Sequence, residues 1–404
     1  MITSSADSLR VRLILVLALL SAVAPIATDL YLASFPQVES GLDTTSAGVQ
    51  LTLTAFLAGL ALGQLMWGPI SDRHGRFRPL LAGTGIATVA AAAAVCAPTI
   101  EALVAARFLQ ALGAAAGVVI ARVVIADLLQ GFAAARAMSL MMTIQAVAPI
   151  AAPVVGGALA GHVPWRGVLG VILGLTVLQL VGVLTTVRET LPADRRTTRL
   201  GYGRLVGLLG RPAFVAYALA QAFTFGTIMT YISNSSFVYQ TVIGASSLVF
   251  GIGFGINALG VMLGGTISAR RAKRRIHPAA TVRIALPLLV ASSTLVLLAA
   301  ASSRPELLLG PMFVATTCVG VTIGNCTVLA IEHVPDAKGS GSAVIGGLMF
   351  GVGALVSPVG GLAGGDSAVP MGTLMLCSSS IALAWFAVAR RFASRHPQSE
   401  AAFA

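Results

Sequence analysis

Residues 68–81 read GPISDRHGRFRPLL, and they place Asp72, Arg73, His74, Arg76 and Arg78 within seven positions of a chain that is only 10% Asp, Glu, Lys and Arg. One apolar run ends just before this stretch and another begins just after it. The whole chain has 404 residues, 56% of them hydrophobic, and a formal net charge of +12; its mean hydropathy is +0.90. A soluble domain carries about 25% charged and about 45–50% apolar residues. Apolar side chains in the proportion found here need a solvent they can face, so the chain reads as an all-α integral membrane protein whose helices each use about 20 apolar residues.

Twelve apolar runs lie near 13–35, 48–70, 79–97, 101–123, 138–160, 165–187, 213–235, 248–268, 280–301, 306–330, 341–362 and 369–389. An even number places both termini on one side. The longest polar connector, 188–212, divides the runs six and six: an N-terminal bundle over 1–187, a basic linker over 188–212, and a C-terminal bundle with a short tail over 213–404. Of the 26 Lys and Arg, 22 fall on the side of the termini, two on the other side and two, Arg107 and Arg122, inside spans. Basic residues resist translocation, so this skew puts both termini in the cytoplasm. It also explains the basic balance without nucleic acid. The loop after the second span (RHGRFR) and that after the eighth (ARRAKRRIH) are both basic, the trace expected of a transporter built from two repeats around a central site.

Other classes are poorly served by the sequence. Cys96, Cys318, Cys326 and Cys377 lie in or at the edge of apolar runs without metal-type spacing, so neither a disulfide set nor a metal site is expected. Arg10, Arg12 and Ala22-Val23-Ala24 imitate a signal peptide, but the run continues to helix length and no cleavage is expected. The histidines are scattered and no G-x-S-x-G or H-E-x-x-H string occurs, which argues against an intramembrane enzyme. No span carries a filter-like signature of a channel.

A charge in hydrocarbon costs at least ~2.5–3.5 kcal/mol near the centre, so each one is a functional candidate. Asp29 is the one acid inside a span. It lies about 9 Å below the outer surface at 1.5 Å per residue, and Arg107 on the fourth span lies at a similar depth. The two are expected to meet, either as a static packing pair or as a proton site, since burial favours a protonated carboxyl and a neighbouring Arg an ionised one. Span 5 carries AVAPIAAPVVGGALAG, where Pro149 and Pro153 break helix hydrogen bonds and Gly156 and Gly157 allow close helix approach. Tyr31, Gln110, Gln145, Tyr231 and Asn257 are polar or aromatic groups at mid-span, equally suited to lining a cavity or to joining helices.

These stretches resemble the major facilitator superfamily. GPISDRHGRFRPLL is similar to its signature loop between helices 2 and 3, RFLQALGAAAG (107–117) to its helix 4 motif, and APIAAPVVGG (148–157) to its helix 5 antiporter motif. With TDLYLASFP (28–36), PWRGVL (164–169), YISNSSFVYQTVIGASSLVFGIGFGINALG (231–260) and GNCTVLAIEHVPDAKGSGSA (324–343), the set resembles the bicyclomycin-resistance (Bcr/CflA) drug:proton antiporters over nearly the whole chain. Three positions depart from that pattern: Ala111, Ser21 and Ala126.

The resemblance implies twelve helices in two pseudo-symmetric six-helix bundles around a cavity that opens alternately to each side. It implies proton coupling through Asp29 and Arg107. It also implies a latch built from Gly68, Asp72, Arg73, Gly75, Arg76 and Asp127, with Arg76 pairing with Asp127 and Asp72 docking on the start of helix 11 near Ser340-Gly341-Ser342. The expected protein is a monomeric exporter of small amphiphilic drugs in the inner membrane, with protons as coupling ion and no cofactor. Export of a native metabolite on the same fold is the alternative.

Overall fold

The structure is a computed structural model that describes residues 3–129, 131–192, 194, 196, 207–302, 304–335, 337–361 and 367–393. The middle of the expected linker at 188–212, residues 193, 195 and 197–206, lies outside them. Among the described residues there are thirteen α-helices and no strand. In chain order they are α1 (Thr3–Leu32), α2 (Phe35–Gly41), α3 (Ser46–His74), α4 (Phe77–Val95), α5 (Ile100–Leu128), α6 (Gly131–Ala160) and α7 (Trp165–Thr186). Then come α8 (Pro212–Phe237), α9 (Ser247–Lys273), α10 (Pro278–Ala300), α11 (Leu309–Glu332), α12 (Lys338–Val356) and α13 (Val369–Ala393). All but the short α2 contribute to the 12 segments long and apolar enough to cross a membrane, and each expected apolar run has become one of these.

The charged stretch 68–81 is less of a loop than expected. α3 continues through His74 and α4 begins at Phe77, so Asp72 and Arg73 ride on a helix end. The turn is left to Gly75 and Arg76. Gly75 has φ +87, a left-handed conformation that closes a helix and that glycine adopts without a Cβ penalty.

The chain forms two compact units, one of Met1–Thr44, Leu51–Leu200 and Ser247–Gly251, the other of Thr45–Gln50, Gly201–Ser246 and Ile252–Ala404. Each unit therefore takes in the start of one helix whose remainder belongs elsewhere. In the second unit Gln50 Nε2 donates to Asn234 Oδ1 at 3.1 Å, which fixes the start of α3 against α8. In the first, Ser247 Oγ donates to the Gly157 carbonyl at 3.0 Å, fixing the start of α9 against α6.

Lipid tails are as apolar as leucine, so helices in a bilayer associate through close packing and interhelical hydrogen bonds. Both units solve this in the same way. In the first, a Cβ on Gly59 would strike the Phe108 carbonyl, and one on Gly63 would lie 2.9 Å from the Leu112 carbonyl. In the second, a Cβ on Gly260 would lie 3.1 Å from the Phe313 carbonyl, and one on Gly264 would strike that of Thr317. GLALG (59–63) and GVMLG (260–264) thus seat α3 on α5 and α9 on α11, and the internal repeat shows in packing as well as in loop charge.

Candidate functional site

The first cluster forms where α1, α3 and α5 meet. Arg107 of α5 is wholly buried at 0% exposure, and Asp29 of α1 is buried too. Contrary to expectation they form no ion pair among the described residues. Arg107 Nη1 donates instead to Gln110 Oε1 at 2.8 Å, one turn along its own helix, and Nη2 to the Ala27 carbonyl of α1 at 3.0 Å. The guanidinium carbon lies 4.2 Å from the Phe56 ring centre and 5.0 Å from that of Tyr31, which in turn meets Phe35 edge-on. Arg107 Nε has no hydrogen-bond partner among the described residues. A desolvated cation–π contact contributes about 2 kcal/mol, and a hydrogen bond from a charged donor about 1.5–3. Together they offset much of what burying the cation costs. Depth along the span placed the two charges level, but the azimuth of Arg107 around α5 directs it to a backbone carbonyl. Asp29, two residues beyond that carbonyl, makes no hydrogen bond or ion pair among the described residues.

α6 packs on the same stretch of α1. A Cβ on Gly156 would strike the Leu30 carbonyl next to Asp29, and one on Gly157 would strike that of Ser247. Pro149 and Pro153 both lie inside α6. Pro25 inside α1 has no N–H for the Ser21 carbonyl. Gln145 Nε2 of α6 donates to that carbonyl at 3.4 Å, so Gln145 joins two helices at a break.

The second cluster is at the end of the first unit. Arg76 is buried, with Nη1 donating to Asp72 Oδ1 at 2.5 Å and to Ser71 Oγ at 2.9 Å, and Nε donating to Asp127 Oδ2 at 3.2 Å. The expected Arg76–Asp127 pair is present, and Asp72 joins it. Glu189, which the sequence reading passed over, completes the set from beyond α7. Its carboxylate accepts the backbone N–H of Arg76 at 2.8 Å and of Phe77 at 3.3 Å, and those of Thr190 and Leu191 at 3.0 and 2.9 Å. Partial burial pushes the Glu189 carboxyl up; the four N–H groups outweigh it and hold its pKa below the ordinary value of 4.5. Thr190 Oγ donates to Asp127 Oδ2 at 3.1 Å. A Cβ on Gly75 would strike the Glu189 carboxylate, a second reason for glycine there. Gly68 has open space around it, and Arg73 is exposed with no ion pair among the described residues. The sequence signal for Glu189 was an acid directly after the sixth run, at the head of a basic linker.

The third cluster belongs to the second unit. Asn257 Nδ2 of α9 donates to Tyr231 Oη at 2.9 Å and to Tyr239 Oη at 3.3 Å. Tyr231 stacks on Phe254 with ring centres 5.3 Å apart. Two cavity candidates thus sit together, joined by Tyr239, which the sequence reading missed. Tyr239 follows α8 on a π-helical turn, Val238–Val242, and fits because Gly253 leaves room for its ring. Such single π turns recur at functional sites. All three polar side chains are buried.

Twelve spans in two units built on one packing scheme, with a buried acid and a caged arginine in the first, define a polytopic membrane transporter. The chain belongs to the Major Facilitator Superfamily, whose sequence profile matches residues 17–358. It is 34% identical over 388 residues to the uncharacterized MFS-type transporter YdgK of Bacillus subtilis, covering 94% of this chain and 96% of that protein. It is 29% identical over 365 residues to the bicyclomycin resistance protein homolog of Haemophilus influenzae, covering 89% and 91%. Among solved structures it is similar to the D-xylose-proton symporter, with TM-score 0.75 at 14% identity over 92% of this chain and 96% of that one. The protein is a multi-pass membrane transporter and not an enzyme.

Proposed function

We propose that this transporter is a proton-coupled exporter of small, neutral or weakly cationic amphiphilic compounds. It works as a monomer in the cytoplasmic membrane with both termini inside. The observation that carries the reading is Asp29, a buried carboxyl with no ion pair or hydrogen bond among the described residues, two residues along α1 from the Ala27 carbonyl to which Arg107 is committed. A carboxyl tied in a static pair would have little reason to exchange its proton. One left without a partner exchanges it whenever its surroundings change, which is what coupling requires. A proton arriving at Asp29 from outside competes with the drug and favours the return of the empty carrier. The gradient supplies about 2.3 kcal/mol per charge per 100 mV. The likeness to a bicyclomycin resistance protein homolog supports a drug-like cargo. Arg76, Asp127, Asp72 and Glu189 hold the turn between α3 and α4 while the carrier changes state.

Accumulation into inverted vesicles, which corresponds to efflux from the cell, tests this, with a panel of antibiotics and dyes and a pH indicator. Efflux that needs the pH gradient and disappears in Asp29→Asn is the expected result. Efflux that persists in Asp29→Asn moves coupling to another group. No efflux of any compound by the parent would redirect the search to a native metabolite.

A further inference from the structure

The end of α9 and the turn after it carry Arg270, Arg271, Lys273, Arg274 and Arg275, and no Asp or Glu occurs anywhere between Asp194 and Glu306. The basic stretch of the first unit is different, because Arg76 there meets Asp72 and Asp127. Among the described residues no ion pair involves any of these five cations. Among the described residues Arg271 has a side-chain partner, its Nε donating to Thr281 Oγ of α10 at 3.0 Å. Arg270, Lys273, Arg274 and Arg275 are exposed.

Their placement is specific. Ile256, Leu259, Leu263 and Ile267 form an exposed apolar stripe along α9, at steps of three and four residues. Arg270 and Arg274 continue the same stripe by the same steps, so they lie directly below a lipid-facing surface. Basic side chains at a helix end often cap its carbonyls. Here the backbone has closed that end, since Arg275 N–H donates to the Ala272 carbonyl at 2.9 Å and Ile276 N–H to that of Arg271 at 3.1 Å. Arg275 itself has φ 55, a conformation that glycine or asparagine adopts more readily. An arginine is kept where the backbone favours a smaller residue, and its guanidinium is not needed for the cap.

We infer that this patch is a docking surface for anionic phospholipid headgroups of the leaflet it faces. A row of cations without an ion pair among the described residues, set at the foot of an acyl-facing stripe, complements a lipid phosphate at the headgroup level with its acyl chains along the stripe. Membrane topology accounts for the number of basic residues. It does not require their alignment under the stripe or a left-handed arginine.

The test uses the full-length protein in nanodiscs that mix phosphatidylglycerol with phosphatidylethanolamine, with retained lipid counted by native mass spectrometry. The parent is expected to retain phosphatidylglycerol in preference. Replacing Arg270, Lys273, Arg274 and Arg275 by Gln is expected to weaken that retention about five-fold per cation removed. Replacing the three arginines by Lys is expected to preserve it. A parent without preference, or a Gln variant that keeps it, overturns the inference. So does an equal loss on replacing Arg390 and Arg391 of α13 by Gln. If the Gln variant does not insert, the parent decides: retention of phosphatidylglycerol that does not weaken with added salt also overturns it.

Discussion

Glu189→Ala is the substitution whose effect can be worked out most fully. The carboxylate holds the turn between α3 and α4 from a segment more than a hundred residues away in sequence, through the N–H groups of Arg76 and Phe77. A hydrogen bond to a charged acceptor is worth about 1.5–3 kcal/mol. The side chain is 32% exposed, and one of the two bonds is long at 3.3 Å. Solvent screening therefore reduces the sum to about 1–2 kcal/mol. For a unit of this size that corresponds to a fall of a few degrees in unfolding temperature. The sign of the pH dependence follows from linkage. The carboxyl's pKa is lower folded than unfolded, so its contribution is complete above about 4.5 and is lost as pH falls through the folded value. Thermal unfolding of the detergent-purified protein between pH 7 and pH 4 should show the parent converging on Glu189→Ala in acid. Glu189→Gln, which keeps an acceptor without the charge, should fall between them at pH 7. An unchanged unfolding temperature for Glu189→Ala at pH 7, or parallel curves down to pH 4, would refute the assignment.

Further expectations concern the other clusters. Arg107→Lys keeps the charge but cannot bridge Gln110, the Ala27 carbonyl and two rings together, so vesicle efflux should fall at least about tenfold while gel filtration still shows a folded protein. Gly75→Ala combines a left-handed backbone with a clash against Glu189 and should destabilise by about 1–3 kcal/mol, whereas Gly85→Ala in open space should be near neutral, both read by thermal unfolding. Asn257→Leu strips a donor from two buried tyrosine hydroxyls and should cost about 2–4 kcal/mol in the same assay; Tyr239→Phe should cost only about 1. Gly264→Val forces α9 off α11 and should abolish folding, seen as loss of monodisperse protein.

Much of this was legible in the sequence because a bilayer imposes simple rules. Twelve spans follow from hydrocarbon thickness, since unpaired backbone groups cannot face lipid and each apolar run must close its own hydrogen bonds as a helix. Arg76 could be paired with Asp127 through a family resemblance, and burial marked Asp29 and Arg107 as costly wherever they pointed. The tandem glycines of GLALG and GVMLG were also in plain sight, although small residues are common enough in membrane helices to carry little signal alone.

Tertiary structure decided what these groups touch. Depth along a helix can be counted from the sequence at 1.5 Å per residue, but azimuth depends on how neighbouring helices pack. That difference sends Arg107 to the Ala27 carbonyl and leaves Asp29 without an ion pair or hydrogen bond among the described residues. It also turns Gln145 into a repair for the break at Pro25, and a π turn delivers Tyr239 to Asn257. Glu189 reaches the turn at Gly75 only because the end of α7 comes back beside the start of α4. The sequence alone determined which segments enter the membrane and which charges had to be accounted for there, since both depend on transfer from water to lipid. Pairing depends on distances of about 3 Å between segments far apart in the chain, and only the packed helices set those.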